Sequence, residues 1–560
     1  MTKSPGAILD GAQHRPQRGE SQDGTSTKSP PGNLSAANAP PHSGPRSKDG
    51  AAGSAAEWAE EGPGKEPAVI YLDYAATTPV DPAVAEAMVL SLREEGRLGN
   101  PSSMHLPGRR AAGRIEAARA QVAALIGAAP EEIIFTSGAT ESNNLAVLGV
   151  PRANAHRGRH VVSSRIEHKA VLDPCKRLEK EGFTVTLVHP DRTGRIDPLA
   201  LAAALRADTV LVSVMLVNNE VGVIQDVEAI GALCRARGIL FHTDAAQAAG
   251  KIPIDVRVLP VDLMSFTAHK LYGPMGIGAL YVRSGARSHL QPIMFGGGQE
   301  RGLRPGTLPT HQIVGFGAAC ELARQALASE SARLISLRER LWTELAALGG
   351  AHLNGEGAPR VPGILNVSFE DVQGESLVAG LSELAISTGS ACNSASAEPS
   401  YVLRALGRDI ELAQSSLRFS IGRFTTSTEL AAAAAAVRRE LKRLRALSPA
   451  SEATHPDLEG DESCVVGEAG GPGQEVWVQF KLRVRDGLVE KASFKAFGCP
   501  HTLAVLGWVA DRLVGRSYAE LVPGTPADWA QQLAVPVEKL GRLLKIEDAL
   551  HECLRNWSEV

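Results

Sequence analysis

The chain has 560 residues, 44% of them hydrophobic and 21% charged, with a formal net charge of −4. This is an ordinary soluble composition with room for roughly three to four domain lengths, and the slight acidity offers no electrostatic case for nucleic acid as a partner. No apolar run approaches the roughly 18 residues of a membrane span, the opening "MTKSPGAILDGAQHRPQRGE" lacks the apolar core of a signal peptide, and its acidic residues argue against a transit peptide, so no membrane association is expected.

In chain order, residues 1–66 are rich in Ser, Gly, Pro and Ala, with no aromatic residue before Trp58. Such a segment buries too little apolar surface to offset its ordering entropy and is expected to be disordered. From residue 67 to 449 the texture changes. Short apolar runs such as "EIIFTS", "HVVSS", "TVLVSVMLV" and "GILFHTD" alternate with helical patterns such as "AGRIEAARAQVAALIG" and "EAIGALCRARG". That alternation predicts an α/β fold with a mostly parallel sheet covered on both faces, closing with the helix "ELAAAAAAVRRELKRLRAL". Residues 450–475, rich in Pro, Gly and acid, read as a linker, and 476–560 as a small α+β module that opens with a hairpin around Asp486-Gly487. The seven cysteines, Cys175, Cys234, Cys320, Cys392, Cys464, Cys499 and Cys553, are scattered and contain no CxxC pair. They predict neither a disulfide framework nor a metal site, and they suit a reducing cytoplasm.

Chemistry concentrates around "LMSFTAHKLYGP", where Lys270 follows an apolar, strand-like run. Alone, such a lysine is usually one whose amine reaches solvent. Asp244, however, ends the preceding strand "GILFHTD", one strand–helix unit earlier, and in open α/β sheets ligands gather at strand carboxyl ends. A lysine and an acid there suit pyridoxal phosphate (PLP): the amine binds the aldehyde and the carboxylate keeps the ring nitrogen protonated. "FTSGATESNNLA" adds a strand, a Gly turn and a helix start around Ala139 and Thr140, an anion site in the making. Thr267 and His269 can donate to the same phosphate, while His168, after the strand "HVVSS", is a candidate proton carrier.

"LDYAATTPVDP", "TSGATESNNLA", "EHKAVLD", "VNNEVGVIQD", "HTDAAQAAGK", "LMSFTAHKLYGP", "GGGQERGLRPGT", "STGSACNSASAEPSYVLRALG" and "SSLRFSIGRFTT" stand in the order found in cysteine desulfurases of the NifS/IscS type, which the chain resembles from Tyr71 to Pro449. The resemblance implies a fold-type I PLP enzyme and a homodimer, with a large domain over about 80–327 and a smaller one built from the remaining ends. It implies that Lys270 is the Schiff-base lysine, Asp244 the partner of the ring nitrogen, Gln247 that of the phenolic oxygen, and His168 the ring-stacking acid/base. Thr140 (with the adjacent Ala139), Thr267, His269 and Thr307 of the other subunit would hold the phosphate, and Asn219 and Arg418 the substrate carboxylate. Thr267 stands where Ser is usual, Ala268 where Gly is usual and Leu216 where His is common; Thr267 keeps its hydroxyl.

A PLP site alone permits several reactions; Cys392 narrows them. Ser, Gly, Ala and Asn surround it in "ISTGSACNSASAEPSY", which predicts a mobile loop. The resemblance makes its thiolate the acceptor of sulfur from L-cysteine, leaving a persulfide and alanine, with iron–sulfur scaffolds or other proteins as sulfur acceptors. Two readings stay open beside this one: a selenocysteine lyase or another fold-type I PLP enzyme, and an assembly platform acting through its C-terminal module.

"VRDGLVEKASFKAFGCPHTLAVLGWVADRLVGRS" in that module resembles IscU-type scaffolds, which hold a cluster with three cysteines and an aspartate. Only Cys499 matches. Gln474 or a neighbour occupies the region of the first cysteine, Arg542 falls near the third, and Glu475 is at best a stand-in for the aspartate. One thiolate does not hold a cluster, so the expectation is a module that docks on the enzyme and accepts persulfide at Cys499.

Overall fold

The computed structural model describes residues 69–93, 99–388, 399–446, 464–470, 476–498, 500–533, 535 and 539–557. The expectations for residues 1–66, Cys392, Gln474, Glu475 and Cys499 lie outside the described residues.

The described chain opens with β1 (Ile70–Tyr71), α1 (Pro82–Arg93) and α2 (Leu106–Ile126). Gly127 ends α2 at φ 71°, its N–H bonding back to Ala123 O, a left-handed stop that glycine adopts without strain. Strands and helices then alternate: β2 (Ile133–Thr136), α3 (Ala139–Ala153), β3 (His160–Ser164), α4 (Lys169–Lys180), β4 (Thr184–Val188), α5 (Pro198–Ala204), β5 (Thr209–Ser213), α6 (Val227–Ala236), β6 (Leu240–Asp244), β7 (Leu263–Thr267) and β8 (Gly278–Val282). They form one sheet in the order β2-β8-β7-β6-β5-β3-β4. Strands β4, β3, β5, β6 and β7 are parallel neighbours, while β8 runs against both β7 and β2.

All residues of β2, β3 and β5 to β8 are buried. Because side chains alternate along a strand, successive residues feed two cores. Phe135, Val162, Val212, Phe241 and Met264 enter one, and Ile134, Val161, Leu211, Leu240 and Leu263 the other. Each such aliphatic or aromatic side chain stabilises the fold by about 1.5–3 kcal/mol relative to exposure. The sheet covered on both faces is the one the sequence predicts.

The 37-residue helix α7 (Thr310–Ala346) leads to a second layer. It holds β9 (Ala351–Leu353), β10 (Ile364–Phe369), α8 (Gly374–Ala379), β11 (Leu384–Ala385), β12 (Ser387–Thr388), α9 (Tyr401–Ala405), α10 (Ile410–Gln414), β13 (Ser416–Ser420) and α11 (Ser427–Ala446). Its antiparallel sheet has the order β12-β13-β10-β9, and β1 joins this layer by pairing in parallel with β11. Leu72 therefore shares a core with Leu365, Leu417, Phe419 and Val437.

Beyond residue 463 the structure corrects the expected linker of 450–475 and the module start at 476. Cys464–Gly470 is a strand, β14, paired along its length with β15 (Trp477–Arg485). One glycine that suggested a linker, Gly467, serves close packing. A Cβ on Gly467 would lie 2.2 Å from Ala549 O and 2.6 Å from Cys553 Sγ, so only glycine lets the helix against it approach. The hairpin to β16 (Leu488–Phe497) turns at Asp486 and Gly487, both with positive φ (52° and 75°), as expected of a two-residue Asp-Gly turn. Helices α12 (Pro500–Leu513), α13 (Pro526–Gln532) and α14 (Leu540–Trp557) cover this sheet, around a core that includes Phe480, Leu482, Trp529 and Ile546. Cys553 is buried in it, its thiol pushed up to about 12 by burial.

Candidate active site

The carboxyl ends of β2, β3, β5, β6 and β7 deliver the polar side chains of the site. Lys270 closes a short 3-10 turn after β7. The turn is fixed from outside: Thr78 donates to His269 O through both N (2.8 Å) and Oγ1 (2.9 Å). Tyr272, two residues on, takes φ 64°, a strained value for a non-glycine residue. It is held there because its N–H donates to Thr78 Oγ1 (2.8 Å) and its hydroxyl accepts from Arg423 N (2.6 Å). The backbone around the lysine is thus set by contacts from two segments, at Thr78 and Arg423.

Asp244, at the end of β6, is 6% exposed. Its Oδ2 accepts from Asn143 Nδ2 at 2.6 Å and its Oδ1 from Ala246 N at 2.9 Å, which aims the carboxylate. Gln247 donates from Nε2 to Ala75 O (2.8 Å) and accepts at Oε1 from Lys251 Nζ (2.8 Å). Lys251, which closes the motif "HTDAAQAAGK" without an expected role, has its ammonium pushed down to about 7 by burial, with Lys270 and Arg418 adding repulsion.

His168 caps α4, its Nδ1 accepting from Ala170 N at 3.0 Å. That bond assigns the proton of the neutral ring to Nε2. Burial holds its pKa below the ordinary value, the charge of Asp244 opposes, and that of Lys270 assists. His168, Asp244 and Lys270 therefore share one electrostatic neighbourhood.

Beside Thr267, Gly138 caps α3 with φ 153° and ψ 178° and with no side-chain cap, so its first turn presents N–H groups. A Cβ on Gly138 would stand 3.7 Å from Thr267 Oγ1, and one on Gly278 would strike Gly138 Cα at 2.7 Å. Ala139 is half-buried and Thr140 exposed at the helix start. Thr267 is buried and donates to Ile277 O at 3.2 Å. His269 contacts Thr77 Oγ1 through Nδ1 at 3.2 Å and is pushed down to about 4 by burial and the two nearby lysines, so it is a neutral ring. Ala268 is fully buried against Gly273, and Leu216 lies in the core. Thr307 is exposed just before α7.

Arg418, on β13, is 2% exposed. It donates to Asn219 O (2.9 Å), Asp73 Oδ1 (2.8 Å) and Ser387 Oγ (3.1 Å), and its buried Nε has no hydrogen-bond partner among the described residues. The structure thus brings Asn219 and Arg418 together from 199 positions apart in the sequence. Asn143 and Asp73 belong to the site although sequence alone assigns them no role; both stand inside the motifs above, and only the fold shows what they touch.

This donor set fits PLP. A buried, doubly held carboxylate suits a protonated ring nitrogen, a helix start capped by glycine suits a phosphate, and Gly138 leaves room beside Thr267 Oγ1 that a Cβ would fill. Among the described residues no group of His, Cys, Asp and Glu is arranged to hold a metal ion, and no helix is long and apolar enough to cross a membrane.

A family model described as aminotransferase class-V matches residues 70–432. A cysteine desulfurase IscS from Pectobacterium carotovorum subsp. carotovorum is 56% identical over 381 residues, covering 68% of this chain and 94% of that relative. A solved structure described as a NifS-like protein has a TM-score of 0.62 at 37% identity, covering 67% of this chain and all of that one. Another, SspA in complex with cysteine, has a TM-score of 0.57 at 40% identity, covering 64% and 99%.

Proposed function

This chain belongs to the class-V aminotransferase family and, within it, to the IscS-type cysteine desulfurases, and from that premise we propose how its own residues divide the work. It is a PLP-dependent enzyme acting on L-cysteine. The observation that carries the assignment of roles is the meeting of Lys270, Asp244 and His168 at the carboxyl edge of one sheet, with Arg418 and Asn219 joined beside them.

Lys270 would hold the cofactor through its amine, Asp244 its ring nitrogen and Gln247 its phenolic oxygen. The start of α3 at Ala139 and Thr140, with Thr267 and His269, would hold its phosphate, as would Thr307 of a second copy in a homodimer. When bound, PLP supplies an electron sink that makes the α-proton of cysteine acidic and its Sγ open to attack. Arg418 and Asn219 orient the substrate carboxylate, and the planar fork of Arg418 suits that task. The Lys270 amine takes the α-proton, and His168, neutral with its proton on Nε2, serves as the acid/base. The Cys392 thiolate attacks Sγ: a new S–S bond forms, the Cβ–Sγ bond breaks, and its electron pair takes up a proton as alanine forms.

The sulfur then passes to acceptor proteins, including those that build iron–sulfur clusters, in the cytoplasm. The C-terminal module docks on the enzyme and accepts persulfide at Cys499. Its support is an ion-pair cluster in which Lys539 and Arg542 reach Glu375 on α8 at 3.1 and 2.6 Å. Arg542, which the resemblance puts near a scaffold's third cysteine, makes a charge contact instead.

The test uses purified full-length protein and ³⁵S-L-cysteine, with alanine and label measured. Lys270→Ala abolishes alanine formation and leaves the cofactor unfixed by borohydride. Cys392→Ser keeps the spectral response to cysteine but forms no persulfide, and Cys499 carries label in the wild type. A colourless protein that makes no alanine rejects the assignment, and unlabelled Cys499 rejects the role given to the module.

A further inference from the structure

Residues 399–401 resume the described chain after the segment that carries Cys392, and two of their side chains reach across the fold to the site. Ser400 is 2% exposed. Its Oγ lies 2.5 Å from Glu220 Oε2 and accepts from Leu403 N at 3.1 Å, so one hydroxyl both caps α9 and binds Glu220. Glu220 directly follows Asn219, and its backbone is fixed on both sides, with N–H to Asn218 Oδ1 (2.9 Å) and its carbonyl accepting from Asn366 Nδ2 (3.1 Å). Tyr401 donates from its hydroxyl to Glu167 O at 2.6 Å, and Glu167 directly precedes His168. The Glu167 carboxyl is held in turn by Ser164 Oγ (2.6 Å) and Met215 N (2.9 Å). On the other side of the segment, Ser387, one residue from its described edge at Thr388, accepts from Arg418 at 3.1 Å. Both described edges of the Cys392 segment are therefore bonded to residues that flank the substrate and the acid/base histidine.

We propose that Glu220, Ser400 and Tyr401 are positioning residues for sulfur transfer: by tying the root of α9 to the neighbours of Asn219 and His168, they fix where the chain carrying Cys392 leaves the fold relative to the substrate. This rests on the assignment of Cys392 as sulfur acceptor. A contact that only stabilised the fold would be met as well by an apolar pair. The carboxyl at 220 is costly where it stands, since burial pushes it up to about 7 even with Ser400 and Arg418 opposing. Its backbone already has partners, so Ser400 is what the side chain serves.

The test is single turnover of the full-length holoenzyme with ³⁵S-L-cysteine, following cofactor absorbance and, after quenching, label on the Cys392 peptide. Ser400→Ala and Tyr401→Phe are expected to keep the absorbance step and its cysteine dependence, and to slow label transfer by about tenfold, as small misplacements of a reacting group do. Glu220→Gln retains an acceptor for the Ser400 hydroxyl and stays within about threefold of wild type. Wild-type transfer rates in both Ser400→Ala and Tyr401→Phe would overturn the proposal. So would an absorbance step slowed in parallel with transfer, or a Glu220→Gln enzyme as slow as Ser400→Ala. Cys392→Ser run alongside separates the two claims, because label transfer that survives it removes the sulfur-acceptor assignment itself.

Discussion

The Asp73 carboxylate lies 2.8 Å from the Arg418 guanidinium, a contact between side chains 345 positions apart. Arg418 is thus oriented before any substrate arrives, with NH1 on a carbonyl, NH2 on a carboxylate and Nε without a partner among the described residues.

Removing that carboxylate disturbs the aim of the guanidinium more than it relieves repulsion of the substrate, because Arg418 is almost fully buried and Asp73 is its charge partner. Asp73→Ala is therefore expected to raise KM for L-cysteine about tenfold with a much smaller change in kcat. Asp73→Asn keeps an acceptor oxygen and should stay within about threefold. Steady-state alanine formation reads both. A lower KM in Asp73→Ala would show that repulsion dominates.

His168 performs two tasks that substitution can separate. Asn is a good helix cap but not a proton carrier, so His168→Asn should preserve thermal stability and lower kcat by roughly 10²–10⁴-fold. His168→Ala should lose the activity and, in addition, about 1 kcal/mol of stability from the lost cap. Because burial holds His168 below its ordinary 6.5, its neutral form persists at lower pH. The acid limb of kcat/KM should lie below pH 6.5 and be absent from His168→Asn. A limb unchanged in that variant would assign it to another group.

Much of this was legible because strand ends are where local pattern and ligand geometry coincide. "GILFHTD" and "LMSFTAHK" display their apolar period and their terminal Asp244 and Lys270 in one reading frame. Contacts such as Arg418 with Asp73, or Ser400 with Glu220, join residues 345 and 180 positions apart, and no local periodicity encodes them. The strand Cys464–Gly470 was illegible for a different reason. Its Gly467 serves packing against α14, and composition alone makes such a glycine look like part of a linker.

One buried carboxyl, that of Glu167, tilts stability against alkaline pH. Burial raises Glu167 to about 8 from its unperturbed 4.5. The folded state therefore keeps this proton after the unfolded chain has released it, and the contribution of Glu167 to stability falls as pH rises from about 4.5 to 8. His242, pushed down to about 4 by burial, works in the opposite sense up to its ordinary 6.5, so the wild-type curve alone is ambiguous. The difference between wild type and Glu167→Gln isolates the term. Thermal midpoints measured from pH 5 to 9 should show the variant gaining on wild type up to about pH 8. A flat difference would place Glu167 as an ordinary carboxylate.

Glu375 is the described contact point between the enzyme's second layer and the C-terminal module. Arg542 first, and Lys539 after it, hold its carboxyl down to about 2 against the effect of burial. An isolated exposed pair contributes only about 0.2–1 kcal/mol, but two cations here share one anion, and the Arg542 and Lys539 side chains are 15% and 27% exposed. The depressed pKa means that the attraction is complete at neutral pH and fades only as pH falls below 4.5 toward 2. A zero-length carbodiimide cross-link should therefore join Lys539 to Glu375 in full-length protein at neutral pH. Arg542→Glu should reduce its yield several-fold by placing like charge beside Glu375, and 0.5 M salt should weaken it through screening. Adding Glu375→Lys to Arg542→Glu and Lys539→Glu reverses every charge, and hydrogen-exchange protection of α8, lost in the Arg542→Glu, Lys539→Glu protein, should return. A wild-type protein that yields no such cross-link, or one whose yield ignores Arg542→Glu, would mean that the module is not held to the enzyme at this face.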